Sequence, residues 1–269
     1  MDKKDAIMII GAPRSGTTLL SGLITGNEKC YPNLPECTFI TQIIKHYFDI
    51  VNYSDRERFS IYAKDKETLF NVYSSHVNNM LKIVLNNFEG SGYKYLVLKD
   101  PEISLYIDLI PRFLPRSKVI YIVRDPRAVV SSMLKVYIKR GLYYNEHDGY
   151  CSDVNVMKVA SDIYNYYHTI HESCLFKSGG VYVVKYEKII EGLRGELDGL
   201  ENHLGYELSG NAFERNSFEF DNADPTFSEN YGSNIVKPVS DYHESLSSSQ
   251  IEDIESMFSG LNLLYEWWV

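Results

Sequence analysis

Gly11-Ala12-Pro13-Arg14-Ser15-Gly16-Thr17-Thr18 is the first stretch whose residue types and spacing carry chemistry. Glycines at this spacing let a backbone wrap an anion and aim successive N–H groups at it. The stretch lies between an apolar run, Ala6 to Ile10, and a helical one, Thr17 to Thr25. The helix N-terminus therefore adds its dipole at the same point. The skeleton is that of a Walker A loop, but Thr17 stands where that motif keeps its lysine. That lysine normally reaches the terminal phosphates of a nucleoside triphosphate, so its absence weakens a triphosphate-hydrolase or kinase reading. Arg14 supplies the cation from inside the loop instead. A tight strand-to-helix turn would explain the glycines alone. It would not explain Arg14, Thr17 and Thr18 arriving with them. Arg14, Ser15, Gly16, Thr17 and Thr18 are the expected phosphate ligands.

Two further apolar runs end in a cation: Tyr95–Leu98 before Lys99, and Val119–Val123 before Arg124. Asp125-Pro126 then reads as an N-cap followed by proline at the first helical position. That helix is expected to run to about Arg140 and stop at Gly141. Ser132 lies two turns inside it, so Arg124 and Ser132 can converge on one phosphate at the carboxyl ends of the strands. Val181–Val184 is a fourth strand. Val156, Val159, Ile163, Tyr167, Ile170 and Cys174 mark a long amphipathic helix. Ser249 with Glu252 reads as a capping box for a C-terminal helix through Ile251, Ile254 and Phe258. Residues 40–90 read as helical. Residues 141–155 and 206–240 read as irregular and as candidate acceptor-side loops. Strands alternating with helices argue for a parallel sheet covered on both faces.

The chain has 269 residues, 44% of them hydrophobic and 23% charged, the balance of a globular protein and enough for one large α/β domain. The net charge of −9 argues against a nucleic-acid binder. It does not argue against a nucleotide, since a local pocket field can oppose the overall charge. No apolar run is long enough to span a membrane, and the start carries no secretory signal, so the expected location is cytoplasmic. Cys30, Cys37, Cys151 and Cys174 show no metal-ligand spacing and read as free thiols. His168 and His171 share a helix face, but no further ligands accompany them, so no metal is expected.

Taken together, the motifs resemble those of sulfotransferases that use 3′-phosphoadenosine 5′-phosphosulfate (PAPS), the tyrosylprotein enzymes and their bacterial relatives above all. Pro13 to Leu19 resembles the 5′-phosphosulfate loop. Lys99-Asp100-Pro101 resembles the Lys-Asp-Pro that follows a strand. Val123 to Ala128, with Ser131-Ser132-Met133, resembles the 3′-phosphate motif. Lys185-Tyr186-Glu187 and Ile235-Val236-Lys237-Pro238-Val239 resemble two later segments, in the same order. The resemblance implies a P-loop NTPase-like three-layer α/β sandwich with a central parallel sheet, here one domain over residues 1–269.

The resemblance also implies roles. PAPS is the donor and adenosine 3′,5′-bisphosphate (PAP) the product, with no metal, and the partner is a hydroxyl-bearing acceptor. Lys99 resembles the lysine that meets the bridging oxygen of the donor. Tyr186 and Lys237 fall among the donor-binding residues with Arg124 and Ser132. Ser228 stands near the place of a catalytic serine. The family's base is a glutamate some twenty residues beyond the loop arginine. Glu36 is the candidate, one residue further on than usual, with Cys37 in place of part of an acidic pair. Two other classes stay open. Leu96 to Asp100 also reads as a Walker B strand, which fits a magnesium-dependent nucleotide or small-molecule kinase. A non-catalytic nucleotide-binding module is the other, and the presence of both Glu36 and Lys99 speaks against it.

Overall fold

Alternating side chains on short apolar strands determine how the layers form. The computed structural model describes residues 5–53, 58–88, 92–143, 151–192, 194–208, 215–217 and 242–268. Four strands, β1 (Asp5–Ile10), β2 (Tyr95–Lys99), β3 (Ser117–Val123) and β4 (Val181–Lys185), form one parallel sheet in the order β2-β1-β3-β4. Ile7 and Ile9 point to one face with Val97, Ile120, Ile122 and Val184. Met8 and Ile10 point to the other with Leu98, Val119, Tyr121 and Val123. Both faces are apolar, as a parallel sheet buried on both sides requires.

Helices cover each face. On the first, α1 (Thr17–Thr25) brings Leu20, Leu23 and Ile24 onto the sheet. On the second lie α2 (Thr38–Asn52), α3 (Lys66–Asn86), α4 (Pro126–Lys139) and α5 (Asp153–Glu172). Returning to the first face, α6 (Arg194–Leu204) packs Leu200 and Leu204 beside β4. The last helix, α7 (Ser248–Tyr265), closes over α4 and α5 through Ile251, Ile254 and Phe258. Each fully buried aliphatic or aromatic side chain contributes about 1.5–3 kcal/mol relative to exposure. Among the described residues, no helix is long and apolar enough to cross a membrane.

Helix α1 occupies the expected residues, and α4 starts at Pro126 with the Asp125 carboxylate accepting from the Arg127 N–H, 2.9 Å. Gly141 stops the chain after α4 at φ 68°.

Two boundaries differ from expectation. The capping box of α7 uses Ser247 and Gln250, two residues before the Ser249 and Glu252 pair. The two patterns overlap in sequence, and tertiary contacts choose between them. Gln250 is buried, and its Nε2 also donates to the Cys151 carbonyl and the Asp153 carboxylate, 2.9 and 2.8 Å. Cys174 is not on α5. Ser173 turns extended, and its hydroxyl caps the separate turn Cys174–Lys177. Asp108 accepts from the Cys174 and Leu175 amides at that turn.

Candidate active site

The strand order reverses around β1. Its neighbours β2 and β3 follow it in sequence but flank it on opposite sides. In open α/β sheets a crevice forms at such a point, beyond the carboxyl ends of the strands. The Gly11–Gly16 loop leaves β1 there, Lys99 ends β2 beside Ile9, and Arg124 follows the last residue of β3. The connectivity therefore collects the three cations named from the sequence.

The loop is shaped by residues that leave no room for alternatives. Gly11 has φ 155°, and a Cβ there would lie 2.6 Å from the Ser15 Oγ and 2.7 Å from the Ile122 carbonyl. Gly16 has φ 102°, and its Cβ would meet the Tyr186 ring at 2.6 Å. Arg14 is left-handed at φ 70°, a conformation that costs a non-glycine residue on the order of 1–3 kcal/mol. Its neighbours fix it. The Arg14 carbonyl accepts from Arg124 Nη1 at 2.8 Å, and Arg14 Nε donates to Ser132 Oγ at 3.1 Å. Arg124 and Ser132 thus come together through Arg14. The Arg124 guanidinium lies 4.2 Å over the Tyr186 ring. Tyr186 therefore touches both the loop glycine and the arginine.

Ser15 is fully buried, and its hydroxyl has no hydrogen-bond partner among the described residues. A buried orphan hydroxyl ordinarily costs about 1–3 kcal/mol. Gly16, the N-cap of α1, has no side chain to satisfy the helix's first amides. These features suit a loop built around an anion.

Glu36, from the segment before α2, meets Lys99 across a cavity of about 630 Å³, lined also by Arg14, Thr17 and Thr18. The Cys37 N–H donates to the Lys99 carbonyl at 2.9 Å and ties the two segments together. A second tie lies beneath. Thr41 Oγ1 donates to Asp100 Oδ2 at 2.7 Å, and Asp100 Oδ1 accepts from the Glu102 N–H at 3.0 Å. Thr41, Lys99 and Asp100 are all at most 3% exposed.

Burial raises the Glu36 carboxyl above its ordinary value, with Lys99 the strongest opposing charge. Glu36 is open to solvent at the cavity rim, but the walls around its carboxylate remove enough water to shift it. Burial lowers Lys99, and the Glu36 charge is the largest influence opposing that. Burial likewise raises Asp100, against which its bonds from Thr41 and Glu102 act. A carboxylate easier to protonate and an ammonium easier to deprotonate, facing one cavity, suit proton transfer at the site.

Of the expected site residues, Arg14, Ser15, Gly16, Thr17, Thr18, Glu36, Lys99, Arg124, Ser132 and Tyr186 gather at this edge of the sheet. Lys237 and Ser228 lie outside the described residues. Sequence reasoning missed Thr41, as well as Met133, Val136, Tyr137 and Tyr166, which line the cavity. For the three on α4, their three- and four-residue spacing was the signal in the sequence. His171 serves the core. Its Nε2 lies 3.0 Å from the Tyr265 hydroxyl, and burial lowers it to about 4. Among the described residues no group of His, Cys, Asp and Glu is arranged to hold a metal ion.

This sheet, loop and helix arrangement defines a P-loop-like α/β fold with a central parallel sheet. The sulfotransferase family profile matches residues 6–210, about three-quarters of the sequence. The chain belongs to the sulfotransferase family and is a transferase. Among solved structures it is similar to the sulfotransferase domain of the olefin synthase of Synechococcus PCC 7002, at 17% identity, TM-score 0.58, covering 97% of this chain and 96% of that one. It is also similar to the sulfotransferase domain from the curacin biosynthetic pathway, at 18% identity, TM-score 0.56, covering 96% and 99%. Sulfotransferase STF9 of Mycobacterium avium matches at 11% identity, TM-score 0.54, covering 96% and 76%. At these identities the likeness is one of fold. No curated protein matches the sequence significantly.

Proposed function

We propose that this sulfotransferase moves a sulfuryl group from PAPS to the hydroxyl of an acceptor, with Glu36 as general base and Lys99 as the cation at the leaving group. The observation that carries this reading is one cavity shared by the phosphate loop, Glu36 and Lys99. The loop takes the 5′-phosphosulfate, using its amides and the orphan Ser15 hydroxyl. Arg124 and Ser132, joined through Arg14, take the 3′-phosphate, with Tyr186 holding the arginine plane. Lys237 is assigned to the donor phosphates by its motif alone.

The donor supplies the sulfuryl group and a phosphate leaving group. Glu36 accepts the acceptor hydroxyl's proton as the new sulfur–oxygen bond forms. Lys99 stabilises the negative charge that grows on the departing phosphate oxygen. PAP, the sulfate ester and one proton are the balance. As in phosphoryl transfer, most of the rate comes from positioning and electrostatics rather than covalent participation. The whole chain, residues 1–269, is taken to act as one domain in this reaction, without a metal, and cytoplasmic.

PAP should raise the melting temperature, and ligand at a hundredfold its Kd adds about 2.7 kcal/mol of stability. ATP with magnesium should do far less. Transfer of ³⁵S from labelled PAPS to a panel of alcohols should then give labelled esters. Equal stabilisation by ATP with magnesium, and no labelled product, would favour a kinase.

A further inference from the structure

The acceptor half of the cavity has a chemistry of its own. Helix α4 carries Ser132 at the donor end and then presents Met133, Val136 and Tyr137 to the cavity. Positions three and four apart share a helix face, so these three form a continuous ledge. From Met133 to Tyr137 it runs about 6 Å along the axis. Tyr166 of α5 adds to it, and Pro35 and Pro101 are the apolar residues from the Glu36 and Lys99 segments. Tyr143 stacks edge-on against Tyr137, ring centroids 5.0 Å apart, and stiffens its ring.

The two acidic side chains at the floor of the cavity are committed, while Thr38 and Arg140 also line it. Asp100 is held by Thr41 and by the Glu102 amide. Glu102 accepts from Gln42 Nε2 at 3.1 Å and from Lys45 Nζ at 3.3 Å. Arg14 is bonded to Ser132. Among the described residues, no Asn or Gln lines the cavity. A polyhydroxylated acceptor leaves several hydroxyls needing partners, and each one desolvated without a partner lowers affinity. An apolar body makes no such demand and gains from each methylene covered.

We infer that the acceptor is an alcohol with an apolar body, alkyl or aryl, whose hydroxyl reaches Glu36 and Lys99 while its body lies on the Met133–Val136–Tyr137–Tyr166 ledge. The inference rests on the sulfuryl-transfer reading above and narrows it to a substrate class.

The experiment uses the full chain, labelled PAPS, and the series ethanol, 1-butanol, 1-hexanol and 1-octanol beside methyl glucoside. PAP binding is measured in parallel by melting temperature. Each covered methylene should raise kcat/KM by up to about fourfold, until the chain outgrows the ledge. Methyl glucoside should stay near the ethanol level. Met133→Gln places a polar group of similar length on the ledge and keeps a good helix former. It should flatten the chain-length dependence, read as the ratio of the 1-hexanol to the ethanol kcat/KM, with PAP binding measured beside it. Tyr137→Gln is the second variant, should the first fold poorly. A flat series with the native enzyme, or methyl glucoside outpacing 1-hexanol, overturns the inference while PAP binding keeps the donor reading intact. Absence of PAP binding overturns both.

Discussion

Thr41→Val tests whether the proposed catalytic pair, Glu36 and Lys99, is held in place by the buried tie beneath it. The change keeps the branched shape of the side chain and removes one hydroxyl. Thr41 Oγ1 donates to Asp100 Oδ2 at 2.7 Å, and both residues are buried. Leaving one carboxylate oxygen buried without its donor costs about 1–3 kcal/mol. For a chain of this size each kcal/mol lowers the melting temperature by about 2–4 °C. The loss should depend on pH with a definite sign. Burial already raises Asp100 above its unfolded value, and the Thr41 bond opposes that rise. Without the bond the folded-state value climbs further. The folded protein then binds a proton that the unfolded chain releases, over a wider range above the ordinary carboxylate value. Stability falls with rising pH across that range, so the variant's deficit should be smaller at pH 5 than at pH 8. Catalysis should suffer separately. Thr41 is in the first turn of α2, five positions after Glu36, and Asp100 directly follows Lys99. Loosening their tie displaces the base relative to the cation, and a displacement of about 1 Å can cost on the order of a hundredfold in kcat. PAP affinity should hold, because Arg14, Arg124 and Ser132 are tied independently. The measurements are calorimetric melting at the two pH values, kcat, and PAP binding, with Thr41→Ser as the variant that restores the hydroxyl. A Thr41→Val enzyme that melts lower yet turns over within twofold of wild type would show that the tie serves stability alone.

Glu36→Gln keeps the side-chain shape, removes the base, and should lower kcat by about 10²–10⁴-fold with PAP affinity intact. The wild-type rate should show an acid limb above the ordinary glutamate value and an alkaline limb below the ordinary lysine value, as burial shifts the pair. In Glu36→Gln the acid limb should vanish and the alkaline limb move lower, since the charge that raised Lys99 is gone; an unchanged acid limb would assign the base elsewhere. Arg124→Ala should weaken PAP by about 10- to 100-fold, the loss of a charge-assisted contact, and hardly change adenosine 5′-phosphosulfate, which lacks the 3′-phosphate. Equal loss for both ligands would make Arg124 a support for the Arg14 carbonyl instead.

What the sequence discloses here follows the range of the interactions involved. Loop and strand-end chemistry is local. Gly11, Arg14, Gly16, Lys99 and Arg124 each sit where an apolar run ends, and a parallel sheet sends all its strand ends to one edge. The gathering of these residues at one edge of the sheet was therefore legible in the sequence. Contacts between segments were not. Thr41 and Asp100 are 59 positions apart, and Arg14 and Ser132 are 118 apart. Nothing in α2 marks Thr41 apart from other helical threonines. The capping box of α7 fails for the same reason: two overlapping patterns were locally equal, and Cys151 and Asp153 decided for Gln250. The ledge of α4 is the intermediate case. Met133, Val136 and Tyr137 have the spacing of any core-facing stripe, and only the position of Glu36 and Lys99 opposite them turns part of that stripe into a cavity wall. A residue's type and local spacing therefore announce the phosphate-type loop and the cations that meet it at the strand ends. Acceptor chemistry is written in which buried face the fold leaves open beside the reacting pair. For that reason Thr41, not a motif residue, is the sharper test of how this site is assembled.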